Sequence, residues 1–540
     1  MIKIIPAYVV LVALSVTGLF GQDFNRPIPN GFPKYEFRQF LQPTSETNYL
    51  TTPLYPSSVS TIRHISMMDE NGYLKWYAGD GMEIFTNFEF HPGHDLFSYC
   101  ALNDFTTYIW KFYVMDQAFN IIDSIVPVGE PVLDSHEFRI LENGNYLIVG
   151  VTHTEENLSG YTFDGVPGGN PSVVKSFVIQ EFENGNLVFD WKSIDHIHPE
   201  EFIDSYSFWF SDFDYAHGNA VEEDVDGNFL VSFRHLDAIY KIDRNTGEVI
   251  WILGGKSNQF DFVNDDGFSG QHDVRLLDNG NITLYDNGNS RPPPRFSRAV
   301  EFEMNYTDMT ATRVWQYSDL HNSYSNGRGS VREGPDGERI IGFGTSTPPT
   351  ASFVHLNAIG QTVSEMHLQD TVVSYRATRH SFSLDIDRPI ITCFQDEFEL
   401  TLSAPDGHDT YSWNTGDTTQ TISVSDTGAY QVWASTGGIG MIGSAPFFLS
   451  DLSDPCGLET GLDPTINQAQ QFIKAGNGNG VFEILLDGEM SVYNSVGQAI
   501  IQKSVAKSSV INISNQPKGV YVLVFESEDE GRAVKRVVKF

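Results

Sequence analysis

Apolar and polar residues alternate in short runs along most of the chain, and the runs are broken by Asn-Gly, Asp-Gly and Asn-Thr-Gly. A period of two predicts half-buried strands, and those breaks predict tight hairpin turns. No long run keeps the helical period, so the chain is expected to be all-β. Between about residues 60 and 387 the strands fall into a repeating unit of two hairpins. The first hairpin carries "DGN" or "NGN" in its turn, and the second often reads "ID..TGE.IW". "HGNAVEEDVDGNFLVSF" followed by "AIYKIDRNTGEVIWIL" is one such unit, and "HDVRLLDNGNITLYD" followed by "AVEFEMNYTDMTATRVWQY" is the next. Many units of four strands without helices predict a β-propeller. Five whole units can be counted, with the hairpin "TIRHISMMDENGYLKWYAG" left over at one end and "SYRATRHSFSLDI" at the other. Joined, these two predict a further blade that closes a six-bladed β-propeller over residues 60–387.

The flanks differ. After residue 388 short alternating strands surround Trp413, between Cys393 and Cys456, which predicts a small Ig-like β-sandwich over 388–456. The two cysteines suit a disulfide in an exported protein, and Cys100 is expected as a buried strand residue. A polar linker over 457–475 leads to a small β-sandwich over 476–540. At the other end, Lys3, a short apolar run and small residues near Gly21 predict a signal peptide over 1–21, followed by an N-terminal extension over 22–59. The run is short for spanning a bilayer, and no other segment is apolar enough for a membrane span.

Charge narrows the partners. A net charge of -37 repels nucleic acid and anionic membranes, so an anionic ligand needs local positive groups. Such groups are found on the inner strands, where His91, His94, His136, His217, His272 and His380 are each expected at or near a strand start. The starts would converge at one mouth of the channel. Hairpin register sets His217 opposite Arg234, Asn219 on the same face as His217, and His272 opposite Asn287. The predicted constellation is His136, His217, Asn219, Arg234 and His272. It suits an oxyanion with several oxygens, held by the planar fork of Arg234, and it includes an imidazole able to act as a nucleophile. The same histidines also admit a structural reading, as in the Gly-His pair of WD-type propellers, with "GQH" at Gly270–His272 as another example. A metal set is disfavoured, and no metal or cofactor is expected. "DVDGN" at Asp224–Asn228 is read as a hairpin turn rather than a calcium loop, and "ILGGKS" at Ile252–Ser257 as an inter-blade loop.

The order H-x-N, S-x-R, I-x-K-I-D-x-x-T-G-E-x-x-W, Q-H and D-N-G resembles the arylsulfotransferase family of exported bacterial aryl-sulfate sulfotransferases. It is carried by "HGNAVEEDVDGNFLVSFRHLDAIYKIDRNTGEVIWILGG", "FSGQHDVRLLDNGNITLYDNG" and "SRAVEFEMN". The resemblance implies a six-bladed propeller that moves a sulfuryl group from an aryl sulfate ester to a phenolic acceptor. It implies a ping-pong cycle through a sulfohistidine, without a nucleotide donor or other cofactor. By motif, His272 is the implied nucleophile; His217, Asn219 and Arg234 bind the sulfuryl oxygens, and His136 joins them by its place before "ILENGN". A family hydroxyl residue corresponds to Ser330 or Thr345. The rival expectation is a non-catalytic secreted propeller that binds a glycan or sulfated ligand. "YSWNTGDTTQTISV" resembles Ig-like modules of secreted Bacteroidetes proteins. "VYNSVGQ", "PKGVYVL" and "VVKF" resemble their C-terminal sorting domain, which implies the type IX secretion machinery as a partner and a secreted or cell-surface location.

Overall fold

Strand follows strand through the computed structural model, and the only helical pieces among the described residues are three or four residues long. It describes residues 26–41, 47–54, 64–79, 84–102, 109–163, 165–203, 206, 212–369, 371–395 and 399–449, with shorter stretches from 452 to 539. The expected signal peptide and most of the expected linker lie outside the described residues.

Six sheets make up the main body, each led by one inner strand. In chain order these inner strands are β1 (Ile84–His91), β2 (Val132–Ile140), β3 (Gly218–Glu223), β4 (His272–Leu276), β5 (Ser330–Glu333) and β6 (Val373–His380). Each touches the next, and β6 touches β1, so the inner strands form a closed cycle. Apolar clusters fill the wedges between consecutive sheets. Leu147, Phe177, Val231 and Tyr240 occupy the wedge between the β2 and β3 sheets, and Leu253, Val274, Leu284 and Phe302 the next one. Further clusters fill the remaining four wedges around the ring. Because each sheet is covered on both faces, its strands bury alternate residues in two different wedges. A fully buried large apolar side chain contributes roughly 1.5–3 kcal/mol. This is the arrangement of a β-propeller, and we read its six sheets as blades.

The closing blade corrects one expectation. β6 does not pair directly with the hairpin of 65–78. The strand Asn48–Leu54 lies between them, in register Asn48↔His380 on one side and Asn48↔Asp69 on the other. The segment expected as an extension thus supplies an inner-blade strand. Pro53 hid it from a strand reading, and it sits where the register with β6 shifts, a place that tolerates a missing N–H. Tyr35–Gln39, from the same segment, adds a fifth strand outside Thr362–Leu368.

Cys393 and Cys456 form a disulfide with Cα atoms 5.4 Å apart. Trp413 and Trp433 are fully buried in the same module, and its strand Met441–Gly443 pairs with the outer strand Leu74–Ala78 of the closing blade. The C-terminal unit packs two sheets around Phe482, Ile484, Val492, Ile511 and Leu523.

Candidate active site

One end of the inner strands is irregular. Asn87, His217, Asp273 and Arg328 all have left-handed φ, from 48° to 60°. Register shifts accompany the first three, between Thr86 and Glu89, Gly218 and Ala220, and His272 and Arg275. A bulge with a non-glycine residue in this conformation is strained and re-aims its neighbours' side chains. Here the side chains converge at one mouth of the ring.

His272 opens β4 and is only 4% exposed. Its Nδ1 lies 2.8 Å from Asn287 Oδ1 and 3.0 Å from Gly270 O, both acceptors, so Nδ1 carries the proton. Nε2 keeps its lone pair and accepts the backbone N–H of Arg328 at 3.2 Å. Burial, then the nearby Arg234 cation, holds the imidazole well below its usual pKa, so it is neutral. Asn287 is in turn fixed by donating to Ser325 O and Arg328 O. The pairing partner of His272 is Tyr285, two residues from the expected Asn287, because the bulge at Asp273 shifts the ladder; the Asn287 side chain bridges the difference.

Arg234 lies beside His217, its N–H donating to His217 O at 3.0 Å, as the hairpin count places it. Its guanidinium sits over the Tyr206 ring at 4.9 Å and donates to Asn326 O at 2.8 Å. Among the described residues no carboxylate pairs with it. The His217 ring stands 5.4 Å from His136 and is stacked 4.6 Å from His235. His217 Nδ1 donates to Asp214 Oδ2 at 2.7 Å, and His136 Nδ1 bonds Asp134 Oδ1.

The other expected residues divide. Asn219 is fully buried and does not share the open face: its Nδ2 donates to Gln271 O at 2.8 Å, which fixes the residue before His272. Ser330 Oγ is spent on the backbone of Ala377 in β6, accepting its N–H at 3.2 Å and donating to its carbonyl at 3.4 Å. Thr345 Oγ1 bonds Ser325 and Asn326, bracing the loop that touches both His272 and Arg234. His91 and His380 close β1 and β6 rather than open them, and His94 lies in the turn after β1. Pro92-Gly93 marks that turn, so a histidine just before it belongs to the far end of its strand. His91 bonds Ser98 Oγ at 2.8 Å and His94 bonds Leu141 O at 3.0 Å, while His380 packs on Phe90.

Asp134, Asp214, His235 and Arg328 line the candidate site and were not singled out in the sequence, whereas Asn287 was expected opposite His272. The "D..H" spacing in "DYAHGN" was the available signal for Asp214. Asp214, His217 and His235 bring ligand atoms within 4.8 Å of one another. Both Nδ1 atoms are already spent, on Asp214 Oδ2 and on Asp214 O at 2.6 Å, so the cluster is a hydrogen-bonded one.

Beneath the site the channel is filled by charge. Glu89, Glu137, Glu222 and Asp273 meet Arg139, Arg275, Arg332 and Arg376, with at least one residue from every inner strand. Glu137 is central: Arg275 reaches it at 2.8 Å and Arg376 at 3.2 Å, and its carboxyl is pulled down to about 2 against the burial that would raise it. Four carboxylates balance four guanidiniums, so the floor is neutral and Arg234 is the uncompensated cation above it.

A family model described as Arylsulfotransferase (ASST) matches residues 43–385, and one described as a secretion system C-terminal sorting domain matches 477–539. The first supports a sulfotransferase; the second indicates export, to the cell surface or beyond, through type IX secretion machinery. No helix among the described residues is long and apolar enough to cross a membrane. No curated protein matches the chain. Among solved structures, a protein of unknown function from Bacteroides caccae is similar at TM-score 0.39 and 11% identity, covering 62% of this chain and 99% of that one. TolB from Acinetobacter baumannii is similar at 0.35 and 10%, covering 62% and 67%. A catalytically inactive virginiamycin B lyase from Staphylococcus aureus with quinupristin is similar at 0.31 and 8%, covering 68% and 96%. Likeness at that level carries no functional reading.

Proposed function

The chain belongs to the arylsulfotransferase family, and from that premise we propose that it moves a sulfuryl group from an aryl sulfate to a phenolic acceptor through a sulfohistidine at His272. The observation that carries this reading is the state of His272: neutral, with Nδ1–H tied to Asn287 and Gly270 and the lone pair on Nε2. In the first half-reaction that lone pair attacks sulfur, the N–S bond forms, and the S–O(aryl) bond breaks with its electron pair going to the phenolic oxygen. In the second, an acceptor phenol oxygen attacks the same sulfur and gives up its proton, which balances the one taken up by the phenolate released in the first half; the N–S bond breaks with its electron pair returning to Nε2, and neutral His272 is regenerated. An ordinary phenol has a pKa of about 10, so the donor carries a competent leaving group.

The remaining work is electrostatic. Arg234, set over Tyr206 and not neutralised by a carboxylate, is placed to hold the sulfuryl oxygens. The imidazoles of His217 and His136 complete the cradle. Donor binding has to displace the Arg328 N–H from Nε2, since both cannot use one lone pair. Burial of His272 keeps bulk water from the N–S bond between the two halves.

Incubation with 4-nitrophenyl sulfate and no acceptor tests this reading. The expected result is a burst of one phenol per chain and one added sulfuryl group on the His272 peptide, both lost in His272→Asn. Wild-type transfer by His272→Asn would overturn it, and a variant that still binds donor without any burst in the parent protein would mark a binding propeller instead.

A further inference from the structure

We propose that Asp214 is a positioning residue that makes His217 the proton carrier of both half-reactions, which gives His217 a task beyond holding sulfuryl oxygens. The inference rests on the sulfuryl-transfer reading above and deepens it.

The geometry is that of a carboxylate–imidazole pair. Asp214 Oδ2 lies 2.7 Å from His217 Nδ1, three residues on, so Nδ1 donates and Nε2 is left toward the mouth. Asp214 is clamped twice more. Lys175 Nζ reaches the same carboxylate oxygen at 3.3 Å, and the Asp214 backbone carbonyl accepts His235 Nδ1–H at 2.6 Å. His235 stacks on His217 at 4.6 Å. Burial, then the positive field of His217, pushes His235 down to about 3, so the stacked ring is neutral and does not compete for the charge. His217 itself is held on a left-handed residue, φ 48°, where the bulge turns its ring into the mouth beside Arg234. A strained backbone and a carboxylate held from two sides, on a residue whose carbonyl is held as well, are more than an oxygen-binding imidazole requires.

The chemistry needs such a group. A departing phenolate takes a proton from His217 Nε2–H, leaving a neutral imidazole whose Nδ1–H stays on Asp214. The acceptor phenol then gives its proton to His217 Nε2 as its oxygen attacks sulfur, which restores the imidazolium. One proton moves in and one out per cycle, and no co-reactant is required. Asp214 holds Nδ1–H in both steps, which fixes the ring orientation and keeps Nε2 as the nitrogen that gives and takes the proton. Asp134 pairs with His136 similarly, but its Oδ1 also accepts the His136 backbone N–H in a local turn, and among the described residues no group outside that turn hydrogen-bonds to it. We therefore assign the proton to His217.

The test compares donors of different leaving-group basicity in Asp214→Asn. With phenyl sulfate, whose phenol is a poor leaving group, the first-half rate should fall about a hundredfold. With 4-nitrophenyl sulfate, whose phenolate needs little help, it should fall less than about fivefold. Asp134→Asn should cost the same on both donors. Equal losses on both donors in Asp214→Asn, or leaving-group dependence in Asp134→Asn alone, would overturn the proposal. His217→Ala, checked for an unchanged melting temperature, supplies the second arm: added imidazole should restore phenyl sulfate cleavage, and no rescue would count against it. Sulfation of His272 in the parent protein is measured alongside. Its absence would sink the transfer reading itself, whereas its presence with equal losses sinks only the role of Asp214.

Discussion

The two ends of the inner strands use the same residue type for opposite purposes. At one end, His136, His217 and His272 sit on or beside bulged backbone, with carboxylates or an amide fixing Nδ1 and an uncompensated guanidinium beside them. At the other end, His91, His94 and His380 sit on regular strand or turn backbone, bonded to a serine hydroxyl and a main-chain carbonyl or packed on Phe90. Between the two ends lies a neutral layer of paired carboxylates and guanidiniums. A histidine in a propeller channel is therefore informative only together with the backbone under it. Regular ladder leaves the ring to packing and local hydrogen bonds; a left-handed bulge spends stability to aim it at a shared space.

The comparison breaks most sharply at His272. His272→Asn should abolish sulfuryl transfer, read as steady-state turnover of an aryl sulfate with added phenol. Because the parent imidazole is held well below its usual value, the parent burst should not fall as the pH drops through 6.5, and a decline there would contradict a neutral nucleophile. The layer between the ends comes next. Glu137→Gln leaves Arg275 and Arg376 short of a buried partner and should destabilise the fold by about 3–5 kcal/mol in denaturant unfolding. In the parent, the Glu137 carboxyl is depressed from 4.5 to about 2. The unfolded chain takes up that proton first, so this stabilisation is complete above pH 4.5 and is lost as the pH falls toward 2. An acid melt that begins well above that window would assign acid sensitivity elsewhere.

Arg234→Ala should weaken donor binding and rate together, losing about 2–4 kcal/mol of transition-state stabilisation in kcat/KM. A loss in kcat alone would show that Arg234 does not hold the ground-state anion. The smallest effect is expected at the far end. His94→Gln removes one hydrogen bond to Leu141 O, about 1 kcal/mol of stability, and should leave turnover within about twofold of the parent. A large loss of turnover there would dissolve the distinction between the two ends.

Sequence and structure divide the account of this protein along physical lines. Period-two patterning and Asn-Gly or Asp-Gly turns are local properties, and they made the strands, the hairpins and the repeat legible before any fold was known. Motif order made His217, Arg234 and His272 legible as a group, because the hairpin count alone sets 217 against 234. Three things were not legible. Asn48–Leu54 carries a proline and pairs with β6, more than three hundred residues away, and such pairing leaves no local trace. Asn219 has the right spacing from His217 for a shared face, but the bulge between Gly218 and Ala220 breaks the alternation that spacing assumes. Asp214 and Asp134 became partners of the imidazoles only through left-handed or bulged backbone, whose dihedrals the sequence does not print. The chain by itself determined which residues alternate, turn and carry charge. Closure of the ring decided which of them meet, because six strand starts share one mouth only when every blade is in place.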